Sequence, residues 1–343
     1  MPKGSNRQWL FVQRPEGAIG KENFRWVESG AIPSPADGQV LVRNLWISFA
    51  PTSLLGMLSP PERGGIPLGS VMPSQTASVV VESKLSGWAP GDLMVAFTGW
   101  EDYSVTDGHA FIDAYKAPKG IPPNLAVGTY GITGLVAYFG VLEVARPRKG
   151  ETIVVSAAAG GVGSVAVQIA RLQGLRVIGI AGGKAKCDWL VHEAGIEAAI
   201  DHRTENVAAQ LDALCPEGID IFFDNVGGPI LDEALARLRR NGRVIVCGGT
   251  AVYGSPTPPS APANYLQLCM VNGRMEGLLG RDYFDRCPEA IAALRHWFEN
   301  GELKSKEDVA MGLENAPDAL ARMFRGENVG KQLLKIADAP ASF

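Results

Sequence analysis

The stretch TIVVSAAAGGVGSVAVQIARLQG (residues 152–174) puts small residues where a phosphate would need them. Ala158, Gly160 and Gly163 stand at the three glycine positions of a dinucleotide fingerprint, with the first glycine replaced by alanine. Small residues are needed because a pyrophosphate must approach backbone N–H groups at a helix N-terminus, where the dipole favours negative charge. An apolar strand before the motif and an amphipathic helix after it supply the required context. The cofactor type is read at the end of the next strand, where an NAD-binding chain would place Asp or Glu on the ribose 2′-OH. Here the sequence runs Ile180, Ala181, Gly182, Gly183, Lys184, Ala185, Lys186, with no acid and two lysines. That pattern attracts a 2′-phosphate and predicts NADP(H), although the same lysines also read as solvated residues of a first helical turn.

Metal chemistry has little to work with. His109, His192, His202, His296, Cys187, Cys215, Cys247, Cys269 and Cys287 form no CxxC, HxH or HExxH pair. The odd cysteine number, wide spacing and apolar neighbours predict reduced, mostly buried thiols of a cytoplasmic protein. The N-terminal MPKGSNRQWLFVQRP lacks an apolar h-region and a cleavage site, and no stretch has the length of a membrane span. A net charge of −4 gives no general attraction to nucleic acid or anionic membrane.

The elements that must position these residues fall into two textures. At 343 residues the chain is long enough for two domains. Up to about Ala126 it is rich in Pro and Gly, with short β-type runs at 40–46, 77–82, 93–97 and 110–116. Beyond Gly128, apolar runs alternate with helical pattern, as βαβ units on a parallel sheet require. Strands are predicted at 152–156, 176–181, 198–201, 219–224, 243–248 and 274–279. Helices are predicted at 162–173, 184–194, 206–215, 229–239 and 288–299, and the whole reads as a doubly wound six-stranded α/β sheet. The Pro-rich SPTPPSAPAN (255–264) follows the fifth strand, either as a rigid surface loop or beside the nicotinamide end of a dinucleotide. From about Met311 the texture returns to turns and short strands that could pair back onto the first domain.

Several further motifs occur in order: GITGLVAYFG (131–140), RPRKGETIVVSAAAGGVGS (146–164), GIDIFFDNVGG (218–228), EGLLGRDY (276–283) and GLENAPDALARMFRGENVGKQLLKI (312–336). With them the chain resembles the zinc-independent medium-chain dehydrogenase/reductases, within them the leukotriene B4 12-hydroxydehydrogenase, prostaglandin reductase and curcumin reductase group of NADPH-dependent alkenal/one reductases. The resemblance implies a GroES-like, mainly β catalytic domain (1–126), a Rossmann domain (127–305), a C-terminal segment (306–343) that returns to the catalytic domain, and an active site in the cleft. It also implies a homodimer through the Rossmann edge strand. Zinc-containing relatives carry a Gly-His-Glu element where this chain has Ser74 and Gln75 in LGSVMPSQTASVVVE.

Carried over by position, the resemblance implies pyrophosphate contacts from Gly160, Gly161, Val162, Gly163 and Ser164. Lys186 and His202 would lie near the 2′-phosphate. His202 stands where the family commonly has tyrosine, which makes that contact pH-sensitive; a solvent-exposed histidine is the other reading. Asn225 follows the fourth strand, the stretch Cys247, Gly248 to Tyr253 would line the nicotinamide ribose, and Leu278, Leu279, Gly280 and Asn328 would close around the ring.

The implied reaction is hydride transfer to the β-carbon of an α,β-unsaturated carbonyl compound, with no metal. Tyr253 would donate to the carbonyl or enolate oxygen, or pack beside the cofactor while water supplies the proton. A quinone or carbonyl reductase of the same superfamily and a non-catalytic NADPH-binding sensor are the competing readings. One region departs from the family: where members read a variant of SLDPYMRGRM, this chain has SFAPTSLLGM (48–57). The usual Asp, Tyr and first Arg are Ala50, Thr52 and Leu54, so Thr52 becomes the candidate hydroxyl donor. Trp46, Phe49, Leu54 and Met57 read either as the lining of a site for a bulky hydrophobic enone or as core.

Overall fold

The computed structural model describes residues 5–29, 31–110, 112–253 and 261–340. The chain divides into two compact units, one running to Gly131 and resuming at Glu307, the other spanning Ile132–Lys306.

The first unit opens with an antiparallel pair, β1 (Asn6–Phe11) and β2 (Phe24–Ser29), in which Trp9 faces Trp26 with ring centroids 5.2 Å apart. β3 (Val40–Ser48) reads VLVRNLWIS and is buried along most of its length, as a strand at the centre of a sheet should be. It leads into a six-residue helix, α1 (Ser53–Leu58), and then β4 (Pro73–Ser83), β5 (Leu93–Gly99), β6 (Tyr103–Thr106), β7 (Tyr115–Lys116) and α2 (Pro123–Val127). Val40, Val42, Val80, Met94 and Ala96 pack into one core cluster. The run predicted at 110–116 forms a strand only at its last two residues; Phe111 lies outside the described residues.

The second unit begins with α3 (Ile132–Phe139), which continues into a π-helical turn at Gly140–Ala145. Then follow β8 (Thr152–Ser156), α4 (Gly161–Leu172), β9 (Arg176–Ala181), α5 (Lys184–His192), β10 (Ala198–Asp201), α6 (Val207–Leu214), β11 (Ile219–Asp224), α7 (Gly228–Ala236), β12 (Leu238–Val246), α8 (Gln267–Met270), β13 (Arg274–Gly277) and α9 (Cys287–Glu299). The six strands are parallel in the order β10-β9-β8-β11-β12-β13. The order reverses between β8 and β11, which marks the crevice where such sheets take ligands. Ile178, Ile200, Leu211, Phe222, Leu235 and Val244 form part of one buried cluster around the sheet. The helix predicted over 229–239 ends at Ala236. Leu238 is already paired with Ile219, and Asn241 takes φ +62° where the strand's register shifts.

The chain then re-enters the first unit as β14 (Glu307–Met311), α10 (Ala316–Phe324) and β15 (Lys331–Lys335). β14 runs parallel to β15, and β15 pairs antiparallel with the end of β3, Leu333 opposite Ser48. The result is a seven-stranded sheet in the order β14-β15-β3-β4-β5-β7, with β6 pairing on β3.

Candidate active site

The phosphate loop is built by glycine in the literal sense that a methyl group would not fit. A Cβ on Gly163 would lie 2.3 Å from the Ala157 carbonyl oxygen and 2.8 Å from the Ala158 Cα, so the start of α4 can close on the β8 turn only without a side chain. Ala157 itself takes φ +46°, and the Gly160 N–H returns to its carbonyl at 2.9 Å. The alanine at the first fingerprint position is compensated from β9: a Cβ on Gly179 would come within 2.9 Å of the Ala158 methyl, which fills that space instead. α4 has no side-chain cap, so the amides of Gly161, Val162 and Gly163 are the donors its first turn offers to an anion. Ser164 is buried, with its amide on the Gly160 carbonyl.

The corner beyond β9 is more basic than the lysines suggest. The His202 and Arg203 side chains reach across the Gly182–Gly183 turn; a Cβ on Gly182 would sit 2.8 Å from His202 Nε2 and 2.9 Å from Arg203 Nε. Asp201, at the end of β10, directs its Oδ1 into the turn and accepts from the Gly183 amide at 2.8 Å and the Arg203 amide at 3.0 Å. Those bonds, Gly183 first, hold its carboxyl below the usual range. Lys184 points away into an ion pair with Asp188, while Lys186 is half-buried beside the turn. Arg203 belongs to no motif quoted from the sequence; the signal was its place one residue after His202 at the end of β10.

Across the switch, Asp224 organises the other half. Its carboxylate accepts from Ser156 Oγ (2.9 Å), the Val226 amide (3.0 Å) and the Gly227 amide (3.0 Å), and its carbonyl accepts from the amides of Cys247 and Gly248. Burial raises its carboxyl pKa against those bonds. Asn225 is clamped to β8 through its amide on Ser156 Oγ and its Nδ2 on the Ser156 carbonyl, and its own carbonyl accepts from Thr250. The turn at 249–253 brings Tyr253 back over the strand end. Its hydroxyl lies 3.5 Å from where a Cβ on Gly248 would be, and its ring is half-buried. Burial, with the nearby Asp224 charge, pushes the Cys247 thiol up to about 12, so it acts as a small apolar residue and not as a nucleophile.

Leu278 donates its amide to the Val246 carbonyl and packs where Gly140 leaves room; a Cβ there would lie 2.6 Å from it. Leu279 is largely exposed, and Gly280 approaches Val136 too closely for a side chain. Residues 254–260 of the Pro-rich loop lie outside the described residues.

Two candidates belong to the other unit. Thr52 caps the start of α1, exposed and with no side-chain capping bond. Asn328 donates its Nδ2 to the Gly330 carbonyl. The proposed lining side chains are core: Phe49, Leu54 and Met57 are buried, and half-buried Trp46 lies under Lys335. The outward face of α1 is formed instead by Thr52, Leu55 and Leu58. Ser74 and Gln75 are buried on β4, where Ser74 Oγ accepts from Trp100 Nε1. The cysteines of the described residues are unpaired; Cys215 and Cys287 are buried as expected, whereas Cys269, on the short α8, is exposed.

A doubly wound parallel sheet with a glycine-built phosphate loop, joined to a mainly β unit closed by the chain's C-terminal strands, defines a nucleotide-dependent oxidoreductase of the medium-chain type. Residues 7–113 match the family of N-terminal domains of oxidoreductases, and residues 161–296 match the zinc-binding dehydrogenase family. The chain is 35% identical to the NADPH-dependent curcumin reductase of Escherichia coli over 98% of both chains. It is also 35% identical to prostaglandin reductase 1 of Oryctolagus cuniculus, over 95% of this chain and 92% of the relative. The crystal structure of CurA from Vibrio vulnificus in complex with NADPH matches with a TM-score of 0.88 at 34% identity, covering 97% of this chain and 99% of that one. The chain belongs to the zinc-independent alkenal/one reductase family of medium-chain dehydrogenases/reductases.

Proposed function

We propose that this protein uses NADPH to reduce the carbon–carbon double bond of small hydrophobic α,β-unsaturated carbonyl compounds, without a metal. The observation that carries the cofactor is the pair of side-chain-free cradles: the Gly163 loop for a pyrophosphate and the Gly182–Gly183 turn, under His202 and Arg203, for a 2′-phosphate. Near full-length similarity to an NADPH-dependent curcumin reductase supports the reaction. Ser74 and Gln75, in place of the Gly-His-Glu element, support a reaction that needs an already polarised substrate.

The amides of Gly161–Gly163 would hold the pyrophosphate, and Lys186, His202 and Arg203 would surround the 2′-phosphate. Asn225 and the Cys247–Tyr253 stretch would take the nicotinamide ribose, and Leu278–Gly280 would lie against the ring. Bound NADPH supplies the hydride that the substrate accepts at its β-carbon. Negative charge then develops on the carbonyl oxygen, which needs a hydroxyl donor; Tyr253 is the donor proposed, and Thr52 is the other candidate. Protonation at the α-carbon, from Tyr253 or from water, completes the saturated product. The uncharged outward face of α1, Thr52 with Leu55 and Leu58, suits an apolar substrate body.

Tyr253→Phe is expected to slow enone turnover at least about tenfold with NADPH affinity nearly unchanged. Product mass and NADPH absorbance provide the readout. Unchanged turnover moves proton delivery to water or Thr52. Reduction only at C=O makes the protein a carbonyl or quinone reductase, and tight NADPH binding with no oxidation across an enone panel makes it a sensor.

The protein acts as a homodimer through β13, an edge strand that carries exposed Met275 and follows exposed Leu266 and Met270. Met270→Glu should halve the mass measured by light scattering without lowering Tm; an unchanged mass removes this interface. Among the described residues no helix is long and apolar enough to cross a membrane, and the unpaired cysteines support a cytoplasmic setting.

A further inference from the structure

Lys331 opens β15 and is almost entirely buried, with Nζ donating to the Phe49 carbonyl at 2.5 Å. An amine withdrawn from water is ordinarily held by a carboxylate. The acids of the adjoining elements are engaged elsewhere. Asp308 of β14 binds Arg322 and the Val329 amide, and Glu307, opposite Lys331 in register, accepts from Asn124. Asp318 of α10 pairs with Lys21, and Glu314 folds back over Gly312. The other charges on these elements, Arg43 of β3, Arg322 of α10 and Lys335 of β15, are cations. Burial alone pushes the Lys331 amine down to about 7.

The amine holds a heavily braced piece of backbone. The Phe49 amide donates to the Gln332 carbonyl at 3.2 Å, and its ring meets Trp100 edge-on at 5.4 Å. The Ser48 hydroxyl donates to the Val127 carbonyl. Directly beyond, the Ala50 carbonyl accepts from both the amide and the hydroxyl of Ser53, closing the turn from which α1 starts with Thr52 facing outward. A buried amine shifted by burial alone, with no carboxylate shown against it among the described residues, costs stability, so it is explained by what it grips.

We propose that Lys331 is a substrate-positioning residue: its buried ammonium grips the Phe49 carbonyl and thereby fixes the Ala50–Thr52 turn that presents Thr52 and the outer face of α1 to the enone. This rests on the assignment of Thr52 and that face to the substrate. Because an ammonium donates a stronger hydrogen bond than a neutral amine, the grip loosens as pH rises through the neutral range.

The test is enone kinetics at saturating NADPH from about pH 6 to 9 for wild type, Lys331→Met and Thr52→Val, with Tm and fluorescence titration of NADPH at one pH. Wild type should show enone KM rising about fivefold across that range. Lys331→Met should have KM raised about tenfold at the acidic end, a flat profile, unchanged NADPH affinity and an undiminished Tm. A Lys331→Met enzyme with wild-type KM and profile overturns the proposal. So does one in which Tm and NADPH affinity fall as enone KM rises, the signature of a merely structural lysine. If Lys331→Met does not fold, the wild-type profile decides, a constant enone KM being the overturning result. Thr52→Val with no effect on KM removes the underlying substrate assignment, whereas an effect there with none in Lys331→Met removes only the grip.

Discussion

Arg203 reaches the Gly182–Gly183 turn from a different strand, and that is why a reading confined to residues after β9 finds only lysines. Of those, Lys184 is spent on Asp188, so the cationic weight at this corner shifts to the guanidinium and to Lys186. A guanidinium presents a planar fork that matches phosphate oxygens better than a flexible ammonium does. Arg203→Gln is therefore expected to raise KM for NADPH by about tenfold or more while leaving NADH kinetics nearly untouched. Titration with 2′,5′-ADP against 5′-AMP isolates the effect from the nicotinamide end; equal loss of both ligands would assign Arg203 to the fold of the turn. The same limit of local reading explains Phe49, Leu54 and Met57. Apolar side chains around a divergent segment look alike whether they face a ligand or the interior, and only the helical phase of α1 separates buried Leu54 and Met57 from outward Leu55 and Leu58.

At the scale of elements, the first four parallel strands were legible because each is a short, largely apolar run bounded by a helix, and the predicted strands at 152–156, 176–181, 198–201 and 219–224 coincide with β8 to β11, whereas polar residues shift the bounds of β12 (238–246 against 243–248) and β13 (274–277 against 274–279). β1, β2 and β6 gave no such signal. They mix polar and aromatic residues, and their pairing is set by tertiary partners, as when Asp102 grips Arg7 through two oxygens. The loss of a fingerprint glycine at Ala158 is likewise unreadable in the motif alone, since its compensation, Gly179, lies on the next strand. This pairing makes a coupled prediction. Gly179→Ala should destabilise by about 1–3 kcal/mol through crowding of the two methyl groups. Adding Ala158→Gly should recover most of that loss, and thermal unfolding of the two single variants and the double variant measures the coupling. Additive losses would mean that Ile196 and Leu190, which also crowd that position, dominate.

At the scale of the whole molecule, one arginine of the six-stranded sheet ties that sheet both to the helical turn that precedes it and to the threshold of β8. Arg243 of β12 donates to the carbonyls of Ala145 and Arg146, where the π-helical turn ends at a residue with φ +48°, and pairs with Glu151 at the threshold of β8. Burial would raise the Glu151 carboxyl, but hydrogen bonds from Arg243 and the Arg148 amide, with the Arg243 charge, outweigh it and hold the pKa below the usual glutamate range. A carboxylate with a depressed folded-state pKa adds stability above its unfolded-state value and forfeits it as pH falls through the folded value. Glu151→Gln should thus lower Tm by about 5 °C near neutral pH, consistent with about 2 kcal/mol for a partly buried pair broken on one side. As pH falls through the folded-state pKa of Glu151, below the usual glutamate range, the wild-type and variant curves should converge, because the wild-type carboxyl is then protonated as well. A gap that stays constant from neutral to acid would show that packing and hydrogen-bond geometry, and not the charge on Glu151, fasten β12 to the start of β8.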